Sequence, residues 1–192
     1  GWYNQTTRDT WGFYRAAWRD NPKFIFQLNA GDEIICSDES WRVGTGPIVS
    51  NAIRAGEKID ARKKVEYNAF AVVVAPPGGI LAPQTMPPIR ECEMLKPVRE
   101  ERQNGYVLYD FGKTIAGYCS AYLSGECGEE IEFVYSDRLT EGRCDNTSNS
   151  MYIFNPGLKY QTDTVILGDA EYFYKPKFVY HGFRYVEVRG NV

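Results

Sequence analysis

The sequence predicts an all-β protein built from antiparallel β-sandwiches. Apolar and polar residues alternate along most of the chain while helical periodicity is nearly absent, which is the period-2 signature of half-buried strands. Runs rich in Val, Ile, Tyr and Phe are separated by Gly-rich or polar turns at sandwich spacing. The length, 192 residues, suits one large all-β unit or two sandwiches of about 100 residues each.

The elements follow in order. Phe24–Leu28 reads as a mostly buried strand, Gly31-Asp32 as its turn and Glu33–Ser37 as the hairpin partner, with Trp41–Val43 continuing a meander. Within Val65–Ala75, the apolar run Ala69–Ala75 is rich in β-branched residues and is expected as a central strand, stopped by Pro76-Pro-Gly-Gly79. From Pro76 to Pro97 the prolines cluster, and proline lacks the N–H that a central ladder needs. This places a domain boundary there, giving domains 1–82 and 83–192. Beyond it, strands are expected at 105–110, 117–123, 130–135, 162–167, 172–174 and 184–188. Gly46–Lys64 and Leu139–Lys159 are expected to be irregular, and long loops in a compact β domain are where binding concentrates.

Composition removes several function classes. Hydrophobic residues make up 43% and aromatics 15% of the chain, enough apolar surface to offset chain entropy, so global disorder is excluded. The 22 basic and 25 acidic residues are interspersed and sum to −3, so no field exists to condense on a phosphate backbone and nucleic acid is not an expected partner. No stretch of about 18 apolar residues occurs, so no membrane partner is expected. The N-terminus, Gly1-Trp-Tyr-Asn-Gln5, reads as neither a signal peptide nor a natural start, and the chain is expected to begin inside a larger protein. Cys36, Cys92, Cys119, Cys127 and Cys144 show no CxxC or zinc-ligand spacing, and their odd number argues against a closed disulfide framework. They read as reduced, partly buried thiols of a cytoplasmic protein. Asn4-Gln-Thr and Asn146-Thr-Ser match the glycosylation pattern but are common by chance and receive no role.

Short motifs then point to a family. In the first half these are Gly1-Trp-Tyr3, Ser37–Val43, Gly46-Pro-Ile48 and Gly56–Arg62; in the second, Pro87–Arg90, Leu95-Lys-Pro97, Tyr109-Asp-Phe-Gly112, Ala116-Gly117, Thr162-Asp-Thr164 and Tyr180-His-Gly-Phe-Arg-Tyr185. Occurring jointly and in family order, they resemble bacterial α-L-rhamnosidases, glycoside hydrolases of carbohydrate metabolism. The resemblance implies an N-terminal accessory jelly-roll sandwich, truncated at its start, over 1–82, and a concanavalin-like sandwich over 83–192. It also implies a downstream six-hairpin catalytic barrel as partner, with rhamnose-containing glycans as ligands. In such barrels an acid protonates the leaving oxygen and a carboxylate activates water, the two about 6.5–9.5 Å apart, with inversion. Nothing in this chain matches that barrel, so no catalytic residue is expected here.

Four candidate site groups remain. In some relatives the loop matching Ser50–Arg62 forms a calcium-dependent rhamnose site, for which a hard cation needs six to eight oxygen ligands. Here Ala52, Arg54 and Ala55 stand where acids and an aromatic are usual, leaving Asn51, Glu57 and Asp60 as sugar-binding candidates and a poor calcium cage. No cofactor or metal is therefore expected, and Glu57, Asp60 and Arg62 are expected as a polar cluster fixing the loop. Second, the rings of Trp2, Trp11 and Trp18, with Tyr3, Phe13 and Tyr14, suit either stacking on a pyranose or packing on the rest of the domain. Third, His181 is the only histidine and is expected to organise a turn beside Gly182 instead of acting as a base. Fourth, the resemblance sets His181, Phe183, Arg184 and Tyr185 near the junction with the barrel. Lys113, Thr114, Ile115 and Asp137 depart from the family pattern without threatening the fold. The expected function is a non-catalytic scaffold that contacts glycan; a stand-alone carbohydrate-binding module and a purely structural adaptor are the alternatives.

Overall fold

The computed structural model describes residues 23–76, 78–147 and 159–190. Among the described residues every regular element is a strand, and no helix is long and apolar enough to cross a membrane. The all-β prediction holds.

The first half contributes two small sheets. β1 (Gln27–Ala30) and β2 (Glu33–Cys36) form a hairpin whose turn uses Gly31 at φ 63°, a left-handed conformation that glycine adopts without a Cβ clash. The ladder starts at Gln27, three residues later than the apolar pattern suggests, because Phe24 and Phe26 pack on the Trp41 ring at 5.7 and 5.5 Å. β3 (Arg42–Thr45) pairs with β6 (Glu66–Phe70). Here the central-strand expectation for Ala69–Ala75 is corrected. β6 stops at Phe70, its sheet has two strands, and Val72 and Val73 are 78% and 72% exposed.

A second correction concerns Gly46–Lys64. This segment is a hairpin, β4 (Ile48–Ala52) and β5 (Gly56–Asp60), not an irregular loop. β5 is buried on both faces, and it lies between antiparallel β4 and a parallel neighbour, β13 (Thr162–Ile166), in the register Lys58↔Thr164, Ile59↔Val165 and Asp60↔Ile166. Its charged residues hid the strand from an apolar pattern.

β7 (Arg99–Gln103), β8 (Tyr106–Gly117), β10 (Glu130–Ser136) and β15 (His181–Arg189) complete a seven-stranded sheet in the order β4-β5-β13-β10-β15-β8-β7. The hairpin from before the proline-rich stretch is thus hydrogen-bonded to strands that follow it. One face of this sheet carries Ile59, Ile131, Phe133, Tyr135, Val165, Phe183, Val186 and Val188. These form a single core with Leu123 and Tyr174 from a second layer, the pair β9 (Ala121–Leu123) and β14 (Tyr172–Tyr174). Phe133 stacks on Tyr174 at 4.5 Å and Tyr135 meets Phe183 edge-on at 4.9 Å. Each such side chain contributes about 1.5–3 kcal/mol by leaving water.

The opposite face is polar and partly roofed by a short hairpin, β11 (Leu139–Thr140) and β12 (Arg143–Cys144), inside the segment expected to be irregular. Buried Glu187 on β15 holds that roof down, accepting hydrogen bonds from Arg143, from the Cys144 N–H at 3.0 Å and from Arg189 at 2.6 Å. Burial alone would raise the Glu187 carboxyl, but these three donors outweigh it and leave the group below its ordinary value.

The β8–β15 ladder breaks once. Phe183 faces Ile115 and Tyr185 faces Asp110, so β8 carries extra residues at 111–114, where Gly112 takes φ 74° and donates its N–H to Asp110 at 2.7 Å. On β15 the shift lets Phe183 and Val186 both enter the core, which strict alternation forbids.

Candidate functional site

Asn51, Glu57 and Asp60 all lie on the β4–β5 hairpin, and Asn51 stands opposite Glu57 in its register. The hairpin turns their side chains to different tasks. Glu57 is 1% exposed, and its carboxylate accepts the backbone N–H groups of Lys177 and Phe178 at 3.1 and 3.2 Å. Desolvation nonetheless dominates and pushes the Glu57 carboxyl above its ordinary range. Asp60 forms a two-point pair with the guanidinium of Arg62, at 2.8 and 2.9 Å, whose hydrogen bonds hold its carboxyl down at about 2. Among the described residues no group of three His, Cys, Asp or Glu side chains gathers as a metal site. The oxygens expected to compete for calcium are held by backbone N–H groups and by an arginine, so this hairpin does not fit a calcium ion.

Behind Glu57 sits a buried polar cluster centred on Asp163. Thr162-Asp-Thr-Val165 alternates, so Asp163 points into the core beside Val165 and needs partners there. It accepts the Glu57 N–H at 2.8 Å, the Tyr174 hydroxyl at 2.6 Å and His181 Nε2 at 3.1 Å. The His181 ring stacks on Tyr135 at 4.2 Å, and Nδ1 is buried without a hydrogen-bond partner among the described residues. Nε2 faces both carboxylate oxygens of Asp163, at 3.1 Å each. Burial beside Asp163 pushes the Tyr174 hydroxyl well above its usual range, so it stays a donor. This cluster has no access to solvent and holds layers together; it cannot meet a substrate.

His181 and Phe183 are therefore core residues of this chain, and of the four junction candidates only Arg184 and Tyr185 keep partial exposure. Arg184 pairs with Asp110 through two 2.9 Å hydrogen bonds, and its guanidinium lies 5.0 Å from the Tyr185 ring centre. Trp2, Trp11 and Trp18 fall outside the described residues. Asn146 donates its side-chain amide to the Tyr160 carbonyl at 3.0 Å. Cys119 and Cys144 are thiols that burial pushes up to about 12, and all five cysteines are free. The partners sequence reasoning missed are Asp163, Tyr174, Arg143 and Glu187. The signal for Asp163 was a carboxylate in phase with core valine, in a chain whose lone histidine also fell on a strand.

Comparison with known proteins bears on what such a frame belongs to. A model of the alpha-L-rhamnosidase N-terminal domain matches residues 1–93, and one of the bacterial alpha-L-rhamnosidase concanavalin-like domain matches residues 100–192. An alpha-L-rhamnosidase of Formosa agariphila is 31% identical over 80% of this chain and 17% of its own length; one of Streptomyces avermitilis is 30% identical over 89% and 18%. The structure of alpha-L-rhamnosidase from Dictyoglumus thermophilum superposes with TM-score 0.71 at 34% identity, covering 82% of this chain and 19% of that one. The Streptomyces avermitilis enzyme complexed with L-rhamnose gives TM-score 0.64 at 28% identity, over 86% and 17%. The chain spans less than a fifth of the length of these relatives.

Proposed function

The chain belongs to the alpha-L-rhamnosidase family, whose N-terminal and concanavalin-like domains it carries, and from that premise we propose that it is a non-catalytic β-sandwich support. It orients a catalytic domain of the same protein and contacts rhamnose-containing glycan. The observation that carries this reading is the engagement of every buried carboxylate among the described residues. Glu57 is on two backbone N–H groups, Asp60 on Arg62, Asp163 on Tyr174 and His181, and Glu187 on Arg143 and Arg189. An inverting pair needs one protonated acid and one carboxylate facing each other across room for a water and a sugar. Carboxylates closed into such contacts are frame, not machinery. The seam between the two domains, at 82/83, is part of the same proposal, with the β4–β5 hairpin reaching across it to β13.

The test is turnover. The purified chain is expected to release no L-rhamnose from a chromogenic α-L-rhamnoside, and to bind the catalytic portion of its own protein when the two are mixed. Hydrolysis at enzymatic rates would refute the reading. Saturable L-rhamnose affinity without any association would move it to an independent carbohydrate-binding module.

A further inference from the structure

A cavity of about 180 Å³ opens where the β8–β15 ladder breaks, on the polar face of the sheet. We propose that it is a binding subsite for one neutral, polyhydroxylated six-membered ring, a single sugar residue of a glycan. The ligand's identity rests on the glycan-contact reading above; the place of the site rests on the geometry alone.

Size comes first. The site is a cleft partly open to solvent, and its volume is comparable to the roughly 150 Å³ of a closed cavity that accepts benzene. It can therefore seat one ring against its walls and cannot bury a disaccharide. Its chemistry is selective. The lining contains two arginines and two carboxylates already arranged as ion pairs, Arg184 with Asp110 and Arg99 with Glu101 at 2.7 Å. Those pairs cancel in charge, so an anion would meet Asp110 and Glu101, and a cation would meet both guanidinium groups. A neutral ligand with adjacent hydroxyls is served by both sets, because a guanidinium offers five N–H donors and a carboxylate about four lone-pair sites. Asp110 binds Arg184 through Nε and Nη2. Among the described residues this leaves the Nη1 donors for another acceptor. The Tyr185 ring and the side chains of Leu108 and Leu139 supply the apolar surface that the C–H face of a sugar ring prefers.

The backbone irregularity is the independent sign that this arrangement is built. In a regular strand Arg184 and Tyr185 point to opposite faces. Here the register shift between Phe183 and Tyr185 brings both to the cavity while Phe183 and Val186 stay in the core. The partner strand breaks at the same level, and the Gly112 N–H fixes the Asp110 carboxylate. Bulges recur next to functional sites because they re-aim side chains. Leu139 on the β11–β12 roof closes one wall, and Glu187 holds that roof.

The experiment is a backbone and arginine-Nε NMR titration of the chain with L-rhamnose, D-glucose and inorganic phosphate, followed by calorimetry on Arg99→Ala, Tyr185→Ala and Asn51→Ala. The expected result is saturable sugar binding with shifts centred on Leu108, Asp110, Leu139 and Arg184, weakened at least tenfold by Arg99→Ala or Tyr185→Ala and unchanged by Asn51→Ala. Should Tyr185→Ala fail to fold, the wild-type shift map and the exposed Arg99 variant carry the test. Phosphate binding as tightly as sugar overturns the proposal. Sugar binding lost in Asn51→Ala and kept in the cavity variants overturns it while leaving glycan contact standing. No sugar binding at all overturns the subsite, and the catalytic-domain association assay then judges the support role separately.

Discussion

Gly56→Ala tests whether the β4–β5 hairpin is locked into the sheet of the second half. Gly56 has φ 128°, a conformation essentially reserved for glycine. A Cβ placed there would overlap the Thr162 backbone carbonyl and lie 2.8 Å from Asp163 Oδ1. The first neighbour is backbone and the second a buried carboxylate held by the Glu57 N–H, Tyr174 and His181, so the strand itself must move. The strained backbone costs about 1–3 kcal/mol. Drawing β5 away from β13 also removes the Glu57 N–H from Asp163, and a buried group left short of a partner costs about 1–3 kcal/mol. The sum, about 2–6 kcal/mol, is a large share of the roughly 5–15 kcal/mol that holds a typical domain. It corresponds to a drop of about 4–24 °C in Tm for a chain of this size. Gly105→Ala and Gly142→Ala are the controls. Their φ values, 84° and 77°, carry strain of about 1–2 kcal/mol, but nothing lies within 4 Å of the added methyl. Urea unfolding followed by far-ultraviolet circular dichroism measures all three. If Gly56→Ala is no worse than Gly105→Ala, the hairpin is not seated against β13 as described.

Asp163→Asn replaces an acceptor by a donor in front of the Glu57 N–H or the Tyr174 hydroxyl, and is expected to lose about 3–5 kcal/mol in urea melts. Arg99→Ala, which breaks an exposed pair, should lose about 0–1 kcal/mol, and equal losses would argue against the buried cluster. Stability should also depend on pH through Glu57 and Asp60 with opposite signs. The raised Glu57 carboxyl binds its proton more tightly folded than unfolded. Its contribution is therefore full below the ordinary value of 4.5 and lost as pH rises through the folded value. The lowered Asp60 contributes above 3.8 and is lost as pH falls through about 2. Urea midpoints of wild type and Glu57→Gln between about pH 4 and pH 7 should diverge in favour of wild type toward the acid end; a constant difference contradicts the desolvated carboxyl. Finally, residues 83–192 expressed alone should be less stable than the whole chain and self-associate through β13, as seen by light scattering; a monomer of undiminished stability would show that the hairpin is dispensable.

Much of the fold was legible because alternation is a local signal. β10, β13 and β14 were read within a residue or two of their observed bounds, since Val, Ile, Phe and Tyr alternate there between turns. β4 and β5 were missed for a physical reason. Glu57 and Asp60 read as loop residues, yet their partners, the N–H groups at 177 and 178 and the side chain of Arg62, let them sit in a buried strand. The Ala69–Ala75 run failed in the opposite sense, because apolar composition does not reveal whether a neighbouring strand exists. Arg184 and Tyr185 were noticed as a motif, but a register shift depends on what faces β15 across the ladder and has no local signature.

The parallel pairing of β5 with β13 has the longest reach in the fold. A sheet that ended at β13 would leave Thr164, Val165 and Ile166 as an open edge beside the core, the arrangement that invites another chain. At the far side of the same sheet, β7 solves that problem locally. Its Arg99-Glu-Glu-Arg102 run pairs Arg99 with Glu101 and Arg102 with Glu100, so a charged, hydrated edge resists addition. β13 carries only Asp163 as a charge, and that side chain faces inward. Protection must therefore come from elsewhere in the sequence. The N-terminal domain provides it with a strand whose Gly56 permits close approach, whose Glu57 anchors on the 177–178 backbone, and whose Ile59 joins the core. The two family domains are thus covalent neighbours that share one sheet. A shared ladder transmits position more stiffly than a linker, which is the property that the proposed support role requires.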